Sequence, residues 1–180
     1  GNLLGHAQSG KIDAVGMDMY LELLSEAMTE LKGEKVPPKI DPEVNLNIPA
    51  CIPEEYVADI NQRLVLYRRM ASITSDEEVE DMEAELNDRF GRLPEQVATL
   101  LEVARIKNLL RGFLVVSVDF AQRQLVFSFH EEAEQSLERI LTLVASDQQR
   151  FRFTPDLKLF ANVKGDGGEG LLQEIGEMLG

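Results

Sequence analysis

The side chains that can do chemistry are few, and most are poorly spaced for it. Carboxylates are the exception: Asp76, Glu77, Glu78, Glu80, Asp81, Glu83 and Glu85 crowd into one short run. Hydrolysis by paired carboxyls needs two groups whose surroundings drive their proton affinities apart, whereas acids along one exposed helical stretch share the same surroundings. A calcium loop needs a glycine turn and alternating oxygen ligands, and this run has no glycine. Its expected role is a solvated helix face. The two histidines, His6 and His130, are far apart and lack cysteine pairs, so neither a zinc site nor a serine–histidine relay has its parts. Ser9-Gly10-Lys11 has neither the spacing nor the preceding strand of a GxxxxGK(S/T) phosphate loop. No catalytic residue, cofactor or metal is therefore expected within this chain. The single cysteine, Cys51, excludes an internal disulfide and fits a reducing, cytoplasmic setting.

One charged cluster admits a sharper role. Glu85, Asp88 and Arg89 stand at i, i+3 and i+4, so on a helix they share one surface beside the apolar Leu86 and Phe90. They fit a polar docking face, and they equally fit an ordinary mixed-charge face; spacing alone does not separate the two. Arg63, Arg68 and Arg69 pose the same choice, and there a local role at the C-terminal end of a helix is favoured.

The elements that must position these residues follow from periodicity. Residues 15–31 place Val15, Met19, Leu23, Leu24, Ala27, Met28 and Leu31 at helical spacing, after a glycine-rich opening loop. Three prolines between residues 33 and 43 mark a linker and a domain boundary. Val44, Leu46 and Ile48 alternate as in a strand. Pro53, Glu54 and Glu55 predict a helix start, with Tyr56, Ile60, Leu64, Tyr67 and Met70 as its apolar stripe. Ser75 and Glu78 form a capping-box pattern ahead of Val79, Met82, Leu86 and Phe90, and Gly91 supplies the stop. Pro94 opens a helix that is apolar around most of its circumference, the expected central helix. The period then changes to two. Leu114, Val116, Val118 and Phe120 pair with Leu125, Phe127 and Phe129 as a hairpin, and Phe151, Phe153, Leu157 and Leu159 flank Thr154-Pro155-Asp156 as another. Helices around Leu137–Val144 and Leu171–Leu179 complete the chain, the last expected against the sheet. The class is α+β: a small mixed or antiparallel sheet packed against several helices and preceded by a linker helix.

Composition limits the partners. The 32 acidic and 18 basic residues give a net charge of −14, which repels a phosphate backbone, so direct nucleic-acid binding by this chain is not expected. No apolar run is long enough to cross a membrane. The opening residues lack a signal-like pattern and read as the middle of a longer polypeptide.

Two stretches carry a family resemblance. GNLLGHAQSGKIDAVGMDMY resembles the segment that ends the translocase motor of bacterial transcription-repair coupling factors and, more distantly, of the RecG helicase. LVLYRRMASITSDEEVEDMEAELNDRFGRLPEQVATLLEVARIKNLL is similar to the C-terminal domain of the same family, with E-L-x-D-R-F-G-x-L-P over residues 85–94 as its most distinctive element. After about Phe113 the resemblance thins and lies in the strand and helix pattern more than in particular residues. His6-Ala7 stands where the family more often has an acid. The resemblance implies that residues 1–43 end a motor module and residues 44–180 form a regulatory domain. It implies a parent that is an ATP-dependent DNA translocase, using ATP and magnesium, that removes stalled RNA polymerase and recruits excision repair through UvrA. It further implies that the domain docks on the UvrB-like N-terminal module of the same protein and masks the UvrA-binding surface, a contact carried onto Glu85, Asp88 and Arg89. A free-standing adaptor for an unrelated partner, and a hydrolase using the acidic run, are the rival classes.

Overall fold

A computed structural model of the chain describes residues 38–133, 137–165, 167, 168 and 170–180, together with Leu21, Leu23, Leu24, Ala27 and Gly33. The chain divides into two units, Gly1–Lys39 and Ile40–Gly180. In the first unit Leu21, Leu23, Leu24 and Ala27 are helical and exposed; the opening loop and most of the expected helix over residues 15–31 lie outside the described residues.

The second unit begins with β1 (Glu43–Asn45). Asn47 takes a left-handed φ of 52° and ends the extended run early, although Leu46 is still buried. Pro53 does not open the expected helix. Its carbonyl accepts from the amides of Tyr56 and Val57 in a single turn, and Asp59 then caps α1 (Ile60–Ala71) by accepting from the Asn61 amide at 2.8 Å. The expected stripe is also corrected: Leu66 and Met70 are buried, while Ile60, Leu64 and Tyr67 are exposed. Leu64, Val65, Leu66 and Tyr67 are apolar in succession, so spacing alone allows more than one inward face.

α2 (Asp76–Phe90) starts as the sequence predicts, with Ser75 Oγ accepting from the Glu78 amide at 3.2 Å. The Glu78 carboxylate accepts from the Thr74 and Ser75 hydroxyls in return, and three acids in the first turn complement the helix dipole. Gly91 ends the helix at φ 86°, ψ −167°, a backbone region that is essentially glycine-only.

α3 (Glu95–Gly112) joins two cores. Its first half gives Val97, Leu101 and Ala104 to a helical cluster with Leu66, Met82 and Leu86. Its second half gives Ile106 and Leu110 to a cluster with the sheet. That division explains why apolar residues surround the helix: successive turns face different cores.

The sheet comprises β2 (Val115–Ala121), β3 (Gln124–Phe129), β4 (Phe151–Thr154) and β5 (Lys158–Asn162) with β1, in the order β1-β2-β3-β5-β4. β1 runs parallel to β2 and the other pairs are antiparallel, so the sheet is mixed. A bulge between Val115 and Ser117 shifts the register. Val115 is therefore buried before the bulge, instead of the expected Val116, and Val118 after it. Leu157 is not in a strand; it sits in the turn at φ 59°. α4 (Leu137–Ser146) contributes Ile140 to the sheet core. α5 (Gly170–Leu179) places Leu171, Leu172, Ile175 and Leu179 in that core with the sheet residues and also runs along α3.

Candidate docking face

α2 presents its polar side near its C-terminal end, and two anchors fix that end. Leu86 is fully buried beneath it. The Tyr56 hydroxyl donates towards the carbonyls of Leu86 at 3.0 Å and Gly91 at 2.8 Å, bridging the last turn of the helix to the residue that ends it, and its ring packs on Phe90 with centroids 5.7 Å apart. Partial burial pushes the Tyr56 phenol up from its ordinary value. Tyr56 thus positions the turn that carries Asp88 and Arg89, a role its sequence pattern did not indicate.

Glu85 sits at the centre of an ion-pair network. Arg69 of α1 donates both guanidinium nitrogens to it, Nη1 to Oε2 at 2.6 Å and Nη2 to Oε1 at 2.7 Å. Arg89 adds Nη1 to Oε2 at 2.9 Å, and its guanidinium lies over the Phe90 ring at 4.9 Å. Glu85 and Arg89 therefore meet, as their spacing predicts. Arg69, sixteen residues away, is the member that local spacing missed. Asp88 is exposed on the adjoining turn. A groove of about 260 Å³, lined by Arg69, Ser72, Glu78, Asp81 and Glu85 among others, runs beside the network. Of the other basic residues, Arg63 donates to the Val57 and Ala58 carbonyls, a local role. The acidic run is partly tied to α3: Asp76 accepts from Asn108 at 3.1 Å, and Glu83 stands 3.6 Å from Arg105.

The Arg69 hydrogen bond, aided by Arg89, holds the Glu85 carboxyl at about 2 against the usual 4.5, with partial burial opposing it; the same bond raises the Arg69 guanidinium. A folded-state value below the unfolded one adds stability that is fully present above about pH 4.5 and is lost as the pH falls towards 2. The Arg69 and Glu85 side chains are 43% and 33% exposed, so solvent screening limits the contribution to about 0.5–1 kcal/mol. Glu85→Gln is expected to be less stable than the wild type by that amount near neutral pH and equal to it near pH ~2. Urea midpoints at the two pH values check this, and a gap that persists in acid would mean the charge is not its source.

The TRCF domain family model matches residues 46–140. A transcription-repair-coupling factor of Myxococcus xanthus is 38% identical over 180 residues, covering 99% of this chain and 15% of the relative. That of Escherichia coli (strain K12) is 32% identical over 164 residues, covering 88% and 14%. The chain thus spans about one-seventh of the length of these relatives. Among solved structures, one described as the crystal structure of the C-terminal domain of transcription-repair coupling factor aligns with a TM-score of 0.68 at 23% identity, over 78% of this chain and 92% of that one; it shares the α+β fold with its mixed sheet. With the family match spanning α1, α2 and α3, the chain belongs to the TRCF domain family of the transcription-repair coupling factors.

Proposed function

We propose that the domain is an autoinhibitory docking module. Its α2 face, with Glu85, Asp88 and Arg89, engages the UvrB-like N-terminal module of the same parent protein and covers the surface that UvrA must reach. The parent would be an ATP-dependent DNA translocase that acts on stalled RNA polymerase, with ATP, magnesium and double-stranded DNA held by its motor and not by this domain. The observation that carries the reading is the Glu85 network. Arg69 and Arg89 hold one carboxylate in a fixed orientation, and Asp88 stands exposed on the next turn of a helix end pinned by Tyr56. Such a surface gives register and specificity more than raw affinity. That suits a lock between tethered modules, where high effective concentration makes a modest polar contact sufficient and a competing partner can still release it.

The test is a calorimetric titration of this chain against the UvrB-like module of its parent. Wild type is expected to bind, and Asp88→Arg to bind at least about tenfold more weakly with an unchanged circular dichroism spectrum. Unchanged affinity in the variant would sink the site. No binding by the wild type would favour an adaptor with a different partner.

A further inference from the structure

α1 buries one side and leaves the other bare. Ile60 is 61% exposed, Val65 51%, Leu64 48% and Tyr67 36%. On a helix Ile60, Leu64, Tyr67 and Ala71 fall on one stripe with Arg68 alongside. Large apolar side chains gathered on one short helix differ from the scattered single hydrophobes of an ordinary surface. At its C-terminal end the stripe continues into a groove of about 180 Å³ whose lining includes Tyr67, Ala71, Leu100, Val103, Lys107 and Arg111.

Charge indicates what covers it. The chain carries −14 overall, yet α1 has no acidic residue and contains three arginines. Arg69 is matched by Glu85; Arg68 is exposed beside Leu64. Lys107 and Arg111 stand 3.9 and 3.8 Å from Asp41, whose side chain is 84% exposed, an arrangement that water screens and another carboxylate can displace. A second copy fits badly, because a two-fold contact would set these cations against their own images. An apolar stripe bordered by acids fits well.

We propose that this face of α1, with the groove towards α3, is a second docking surface that takes an acidic amphipathic helix of a partner protein. The apolar residues of that helix lie along Ile60, Leu64 and Tyr67, and its carboxylates meet Arg68 and Lys107. This surface does not depend on the role given to the α2 face.

The full 180-residue chain is titrated, with backbone NMR shifts as readout, with a designed helical peptide of about 18 residues. The peptide carries leucines at helical spacing flanked by glutamates. A version with lysine for every glutamate, and vesicles of anionic lipid, are the comparisons. The glutamate peptide is expected to bind at least about tenfold more tightly than the lysine peptide, with shifts confined to α1 and the middle of α3. Leu64→Asp, at an exposed position, is expected to weaken it by about tenfold or more, and Asp88→Arg to leave it unchanged. Equal binding of the two peptides, binding of neither, or binding that survives Leu64→Asp overturns the proposal. Binding of vesicles without the glutamate peptide, or self-association abolished by Leu64→Asp, overturns it in favour of a membrane or a second copy.

Discussion

Leu101→Ala and Leu110→Ala, made separately, are each expected to destabilise the domain by about 2–5 kcal/mol and to loosen both cores at once. Leu101 is 3% exposed in the helical cluster and Leu110 is fully buried in the sheet cluster. Truncation at either place removes apolar contact and leaves a cavity that rigid neighbours fill only partly. The two sites lie about 14 Å apart along one helix, so their effects should add within about 0.5 kcal/mol. What couples the cores is α3: neither cluster keeps its wall if that helix frays. Hydrogen exchange in α2 and in β3, followed together through a urea series, tests this. In Leu101→Ala exchange should quicken in β3 as well as in α2. If only α2 responds, the helical and sheet clusters unfold independently and α3 is a shared boundary and not a common support.

The central helix was legible because its signal is redundant. Apolar residues on nearly every face demand burial on nearly every face, whatever the neighbours. α2 was legible for a different reason: cap, stripe and stop agree at Ser75, Val79–Met82–Leu86 and Gly91. α1 was not. Pro53 is a valid start signal satisfied by one turn, and Asp59 is a better one. Along α1 the four successive apolar residues from Leu64 make the inward face depend on where α2 and α3 lie, which periodicity does not contain. The bulge in β2 is similar, since alternation holds on each side of it and fails across it.

The candidate docking face was half legible. The i, i+4 rule finds Glu85 with Arg89, but the stronger pair is Arg69 with Glu85, a contact between helices that only the fold brings together. The resemblance to the family singled out Glu85, Asp88 and Arg89 without assigning them different jobs. The geometry separates them. Glu85 is turned into the network and orients it, while Asp88 faces outward, which is why charge reversal at Asp88 is the cleaner probe of docking and substitution at Glu85 the cleaner probe of stability.

Glu174→Ala is expected to cost about 1.5–3 kcal/mol, an effect out of scale for a surface acid. The Glu174 carboxylate accepts from the Lys164 amide at 2.8 Å and stands 3.6 Å from Arg150, with the two side chains only 13% and 19% exposed. Arg150 in turn donates Nε to the Asn162 carbonyl at 3.2 Å and lies over the Phe151 ring at 5.0 Å. One side chain of α5 therefore ties down the connection that leaves β5 and the arginine beside β4. Removing it takes the acceptor from the Lys164 amide and the carboxylate from beside a mostly buried guanidinium that keeps its bond to Asn162, and unmade polar contacts cost more than made ones return. Glu174→Gln separates the two contributions. The amide oxygen still accepts from Lys164, and only the charge is lost across a 3.6 Å gap too long for a hydrogen bond, so its cost should be about 0.5–1 kcal/mol. Urea unfolding gives the totals, and exchange of the Lys164 amide shows where the loss falls. It should quicken in the alanine variant and stay slow in the glutamine variant. If the two variants are equally destabilised, the charge pair outweighs the hydrogen bond, and Arg150, not Lys164, is what Glu174 holds in place.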